Sequence, residues 1–298
     1  MQNFGEYDND DKLDPSGFLK MARLHQSQYR ANILKLPFDT YGNYLTKDAA
    51  QSGHNFYSGF GIFDAVKKRY PNKYSKSLSA NMLRSEHIPF NIFIPLDYDK
   101  NFCKNIFNEF LQNSIEEIVQ IKIEYAPPPK LKYLNDNTSF DTYIEYKHVD
   151  GSLGILGVEV KYTEREYRIP PKSKQANEIK DPNSQYSTVM KQCGIFKTSA
   201  NDVLRTDEYR QIWRNQLLGE SILIVDSNKF KHFTSVLLFP KANTHFITAS
   251  AEFIKLLDKN DNKFIPITYE ELFAVCEQHS PDNSYQKWLE YLRQRYIA

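Results

Sequence analysis

Asp141 and the triplet Glu159-Val160-Lys161 fall in one stretch, Thr138 to Glu164, that is rich in valine, isoleucine, leucine and glycine. Strands of that composition bury apolar side chains, and a carboxylate among them needs a compensating partner. Two carboxylates beside an ammonium and a main-chain carbonyl form a set able to hold a hard divalent cation, because Mg²⁺ takes oxygen ligands. Hydrolysis of a phosphodiester calls for such a set: charge neutralised at phosphorus, a water polarised for attack and an alkoxide helped to leave. Lys161 would orient or deprotonate the water or stabilise the phosphorane, since a lysine pKa moves readily in a site of mixed charge.

The elements must bring these groups together. Residues two apart on a strand share a face, so Glu159 and Lys161 point one way while Val158 and Val160 enter the core. Asp141 joins them only if the hairpin has the right register, because a slip of one residue reverses every side chain. A two-residue loop, Asp150-Gly151, would set Asp141 opposite Val160 and part the acids. A three-residue loop, Val149-Asp150-Gly151 with the glycine left-handed, pairs His148 with Ser152 and Asp141 with Glu159; this register, or a bulge of the same effect, is the one expected.

Three segments follow in order: Thr138-Ser139-Phe140-Asp141, then Glu159 to Glu164 (EVKYTE), then Gln211 to Leu218 (QIWRNQLL). Together, over roughly residues 80 to 240, they resemble the signature of the PD-(D/E)XK nuclease superfamily, in particular a bacterial restriction-endonuclease-like branch. The proline of the family name is absent before Asp141. The resemblance implies an α/β fold whose mixed sheet sits in an αβββαβ core flanked by extra helices. By carry-over, Gln211 positions the water or scissile phosphate and Arg214 binds a phosphate through both arms of its guanidinium. Glu86 falls where the superfamily often has a glutamate on its first core helix, completing metal coordination through water; a surface glutamate is the plain alternative. The expected catalytic set is thus Asp141, Glu159, Lys161, Gln211 and Glu86. The expected metal ligands are Asp141, Glu159, the Val160 carbonyl and Glu86, for Mg²⁺ with Mn²⁺ as substitute. The implied activity is that of a Mg²⁺-dependent endodeoxyribonuclease in restriction or another defence role. A binding module that keeps the fold without cutting, and a structure-specific repair nuclease or resolvase, are the competing readings.

Charge distribution bears on the DNA partner. Net charge is only +1, not the excess of a DNA-coating protein. Yet Lys67, Lys68, Arg69, Lys73, Lys76 and Arg84 follow one another with no acid between, interleaved with Tyr70 and Tyr74, so that Lys67, Lys68, Arg69 and Lys73 could track phosphates. A solvated helix end explains the run equally well. The chain is expected to divide into a helical and loop extension, residues 1–76, with an acidic tail from Glu6 to Asp14, and a nuclease-like unit, residues 77–298, with a C-terminal elaboration.

Periodicity predicts a short helix over 16–35, mostly loop over 36–62, a proline-broken buried segment over 88–96 and a helix within 99–119. A first strand is expected over 121–125. The polar stretch 169–200 reads as a flap over the DNA side. A helix over 206–221, a strand over 234–239, a helix over 249–257, a strand over 264–267 and two closing helices complete the chain.

Several classes lose support. The seven histidines show neither HxH nor HExxH spacing, giving no backing to a histidine metal centre. Walker and Gly-x-Ser-x-Gly motifs are absent. The three cysteines lack CxxC spacing and cannot all pair, which points to a reduced, cytoplasmic setting. No apolar run approaches membrane-spanning length. A homodimer is plausible for a cutter of both strands.

Overall fold

The computed structural model describes residues 4–5, 17–71, 74–166 and 168–298. Lys73 and the acidic tail from Glu6 to Asp14 lie outside the described residues. Among the described residues five α-helices, α1 (Phe18–Gln28), α2 (Lys47–Gln51), α3 (Ile62–Arg69), α4 (Ile88–Tyr98) and α5 (Lys100–Phe110), precede a strand β1 (Ile115–Tyr125) and the hairpin β2 (Phe140–His148) and β3 (Leu153–Val160). The chain continues through α6 (Lys174–Lys180), α7 (Gln185–Cys193), α8 (Asn201–Leu204) and α9 (Arg210–Val225) to β4 (Phe230–Phe239). Helix α10 (Thr244–Leu256), strand β5 (Phe264–Thr268) and helices α11 (Tyr269–Gln278) and α12 (Asn283–Tyr296) follow. The strands form one sheet in the order β1-β2-β3-β4-β5, antiparallel from β1 to β3 and parallel from β3 to β5.

Both faces of this mixed sheet are covered, which is why β3 is buried along nearly its whole length. Alternation sorts its side chains. Leu156, Val158 and Val160 join Ile144, Val236 and Leu238 in one core, with α1, α4, α5, α11 and α12 against it. Ile155 joins Tyr143, Phe233 and Leu237 in a second core under α6, α7, α9 and α10. Glu159 and Asp141 therefore belong to the face that α9 covers.

The hairpin has the expected register. The His148 carbonyl accepts from Gly151 N–H at 2.9 Å, His148 N–H donates to Ser152 at 2.8 Å, and Gly151 is left-handed at φ 86°. Thr142 pairs with Val158 and Tyr143 with Gly157, so the same ladder continued by one residue puts Asp141 opposite Glu159. A glycine at 157 is required by packing: a Cβ there would enter the Phe140 ring, the neighbour of Asp141. Gly157→Ala should lower stability in urea by about 1–3 kcal/mol, because Phe140 must leave its rotamer or the strands must part; an unchanged midpoint would show the ring free to move.

Several sequence expectations are corrected. Residues 169–200 are not an unpacked flap: they include α6 and α7, with Ile179, Tyr186 and Val189 buried in the second core, although Lys174, Gln175 and Glu178 of α6 do border the cleft. The segment 88–96 is helical, since Pro89 sits in the first turn where its missing N–H has no partner to lose, and Pro95 lies in the last. Strand β1 starts at Ile115, six residues earlier than expected; residues 36–62 are mostly loop as expected, interrupted by the short α2 and ending on the first residue of α3. No helix among the described residues is long and apolar enough to cross a membrane.

Candidate active site

At the carboxyl end of β3 the sheet carries a row of three acids. Ile123 pairs with Thr142 and Tyr125 with Phe140, which sets Glu124 on β1 opposite Asp141 on β2, itself opposite Glu159 on β3. Asp141 is half-buried at the wall of the cleft, and its Oδ2 accepts from Val160 N–H at 2.7 Å. Within a strand a residue's N–H and C=O face the same neighbour, so the Val160 carbonyl lies on the Asp141 side. Burial, then the charges of Glu159 and Glu124, push the Asp141 carboxyl well above the ordinary carboxylate value. Burial and Glu159 likewise raise Glu124. Hard oxygens converging with too much negative charge form a donor set that fits a divalent cation.

Lys161, just past the end of β3, closes the site. Its Nζ lies 2.6 Å from Glu159 Oε1 and donates at 2.6 Å to Gln211 Oε1. Burial works against the ammonium, but Glu159 and Asp141 outweigh it and raise the lysine pKa. Lys161 is therefore held as a cation beside its two carboxylates in the metal-free site, where it can stabilise charge on phosphorus. Its backbone is fixed from two sides: its N–H donates to Leu238 at 2.8 Å and its carbonyl accepts from Tyr269 Oη at 2.6 Å.

Helix α9 supplies the other wall. Gln211 Nε2 donates to Glu159 Oε1 and Asn215 Nδ2 to Glu159 Oε2, four residues apart and so on one helix face. On that same face, one turn further, Gly219 lies against the Phe233 ring, where a Cβ would clash, and this close approach brings α9 down onto the sheet. Because Gln211 and Asn215 fix the carboxylate of a candidate metal ligand, Gln211→Ala and Asn215→Ala should each slow cleavage by about 10–100-fold, the effect expected when a partner that orients such a ligand is lost. Rates measured at saturating metal that match wild type would make these amides incidental.

The remaining expected residues are placed differently. Arg214 borders the cleft, but its Nε and Nη2 both donate to Asp136 Oδ2, at 3.2 and 2.5 Å, so its fork is turned to a carboxylate of the β1–β2 loop rather than offered to a phosphate. Glu86 accepts from Ser77 Oγ at 2.7 Å and pairs with Arg84 at 3.2 Å. Among the described residues no hydrogen bond joins Glu86 to Lys161; the third acid in the row is Glu124, and Glu86 lies near enough for its charge to help raise the Glu124 carboxyl. Lys67 pairs with Asp64 at 2.6 Å, and Arg69 donates to the Glu124 carbonyl at 3.0 Å. Lys68 lines a groove against β1 that shares Lys130, Asn137 and Ser139 with the cleft over Asp141 and Glu159. That cleft is about 600 Å³, with Lys130 and Lys174 among its lining residues.

Sequence reasoning missed Glu124, Asn215 and Asp136. Asn215 had a usable signal in its spacing from Gln211. Glu124 had a weaker one, an acid alternating with isoleucines in the IKIEY run, but its place depends on how β1 pairs across a long loop.

Neither the curated proteins nor the solved structures contain a match to this chain. The family model of the PD-(D/E)XK nuclease superfamily matches residues 9–298, nearly the whole length. With a mixed five-stranded sheet and the Asp and Glu-x-Lys segments on adjacent strands, the chain belongs to the PD-(D/E)XK nuclease superfamily.

Proposed function

We propose that this protein is a Mg²⁺-dependent endodeoxyribonuclease of restriction or defence type, with Asp141, Glu159 and Lys161 at its catalytic centre. The observation that carries this reading is the register that lines Asp141 up with Glu159 beside a buried Lys161. Asp141, Glu159 and the Val160 carbonyl would hold the cation, which supplies Lewis acidity and a more acidic bound water. Lys161, held by Gln211, directs its ammonium at the non-bridging oxygens of the scissile phosphate, where charge grows in the transition state. Asn215 and Gln211 keep Glu159 aimed into the cleft. Lys130 and Lys174 in the cleft, and Lys68 in the adjoining groove, neutralise flanking phosphates.

Incubation of supercoiled plasmid with the protein and Mg²⁺ or Mn²⁺ tests this directly, with Asp141→Ala and Lys161→Ala as controls. Nicked or linear product from wild type alone is expected. Absence of cutting on duplex, single-stranded and RNA substrates alike would favour a module that binds without hydrolysis.

A further inference from the structure

A second group of potential metal ligands lies at the opposite end of the sheet. Asp141 is the second residue of β2 and His148 its last, so seven residues of strand, about 23 Å, separate the two places. The hairpin tip there carries His148 and Asp150, and the parallel partner strand β4 brings His232 alongside, in register with Gly154. One ligand atom from each of the three lies within 4.8 Å of the others. Asp150 Oδ2 is 2.9 Å from His232 Nε2, and Oδ1 is 3.1 Å from His148 Nδ1. The carboxylate is itself anchored, since Oδ1 accepts from Ser152 N–H at 2.9 Å and Ser152 Oγ at 2.6 Å.

We propose that His148, Asp150 and His232 form a binding site for a transition-metal dication of the zinc or nickel class. Imidazole nitrogens select such ions over Mg²⁺, and two imidazoles with one carboxylate leave a further position to water. The two rings lie face to face, 3.9 Å apart and inclined by 17°. Shared coordination therefore needs one ring to turn, and His232, with its side chain 34% exposed, is the freer of the two. A bound ion would tie the hairpin tip to the start of β4, clamping the sheet at the end remote from the acids. The histidines are 84 residues apart in sequence, by subtraction of 148 from 232, which is why no spacing motif announced them.

Calorimetric titration of the full chain with ZnCl₂ in excess Mg²⁺ tests the site without reference to cleavage. One saturable equivalent is expected in wild type and in Asp141→Asn. His232→Ala and Asp150→Asn should each weaken it by more than the ~10-fold that loss of even an outer partner causes. His232→Asn, which keeps a polar side chain but offers no imidazole, should behave as His232→Ala does. Zinc should also raise the melting temperature of wild type and not of these variants. Failure of wild type to take up zinc, uptake unchanged in the His232 and Asp150 variants, or uptake lost with Asp141→Asn, would each overturn the proposal.

Discussion

Asp141→Asn is expected to abolish cleavage, by about 10³-fold or more, while making the metal-free protein more resistant to heat. The first effect follows from removing an anionic ligand at the point where charge on phosphorus must be neutralised. The second follows from burial. Asp141 sits half-buried in the wall of the cleft beside Glu159 and Glu124, and desolvation followed by these two charges raises its carboxyl well above the ordinary value. A group whose pKa is higher in the folded than in the unfolded chain favours folding below the unfolded pKa. That contribution is lost as pH climbs through the folded value. At neutral pH the free wild type therefore carries a repulsion that asparagine lacks, while the amide oxygen can still accept from Val160 N–H. Melting curves should place the variant a few degrees above wild type at pH 7 to 8, with the gap narrowing toward about pH 4. Mg²⁺ should raise the melting temperature of wild type more than that of the variant. A variant less stable than wild type at every pH would mean that the acid is neutralised by ordinary partners.

Asp136→Ala should be among the most damaging single changes, destabilising the fold by about 3–5 kcal/mol, as when one partner of a buried ion pair is removed. Asp136 and Arg214 expose only 8% and 7% of their side chains. The carboxylate also accepts from Thr138 Oγ1 at 2.6 Å and from Tyr186 Oη, so it joins the β1–β2 loop to both α7 and α9. Burial works against the charge, but Arg214, Thr138 and Tyr186 together hold the Asp136 pKa below its ordinary value. Its stabilisation is then complete above the unfolded carboxylate pKa and is lost as pH falls through the folded one, so this junction should hold until the pH is below the ordinary carboxylate value. Asp136→Asn, which keeps part of the hydrogen bonding, should lose less. Urea denaturation of the two variants measures the difference; equal and small losses would show Arg214 content with other partners.

The hairpin was legible because its turn chemistry is local. Gly151 accepts a left-handed conformation, and one loop length put both acids on one face. The position of β1 was not, because the 14-residue segment 126–139 joins it to β2 with no short turn to set the pairing, and two register shifts, between Ile115 and Glu117 and between Ile118 and Gln120, break the far end of the ladder. Helices α6 and α7 were read as a flap because each buries only a few side chains, although Ser173 and Ser184 cap their first turns through Ala176 and Ser187 N–H. Arg214 shows the limit of carrying a role across by pattern alone: its helix and spacing matched, yet the acid that receives its fork lies 78 residues upstream.

Crystals soaked in Mn²⁺ put the central claim to its most direct test. An anomalous peak within about 2.0–2.6 Å of carboxylate oxygens of both Asp141 and Glu159, lost in Asp141→Asn crystals, is the result expected for a hard-cation centre. Manganese that avoids this cleft, with Asp141 and Glu159 still held only by protein donors, would contradict it.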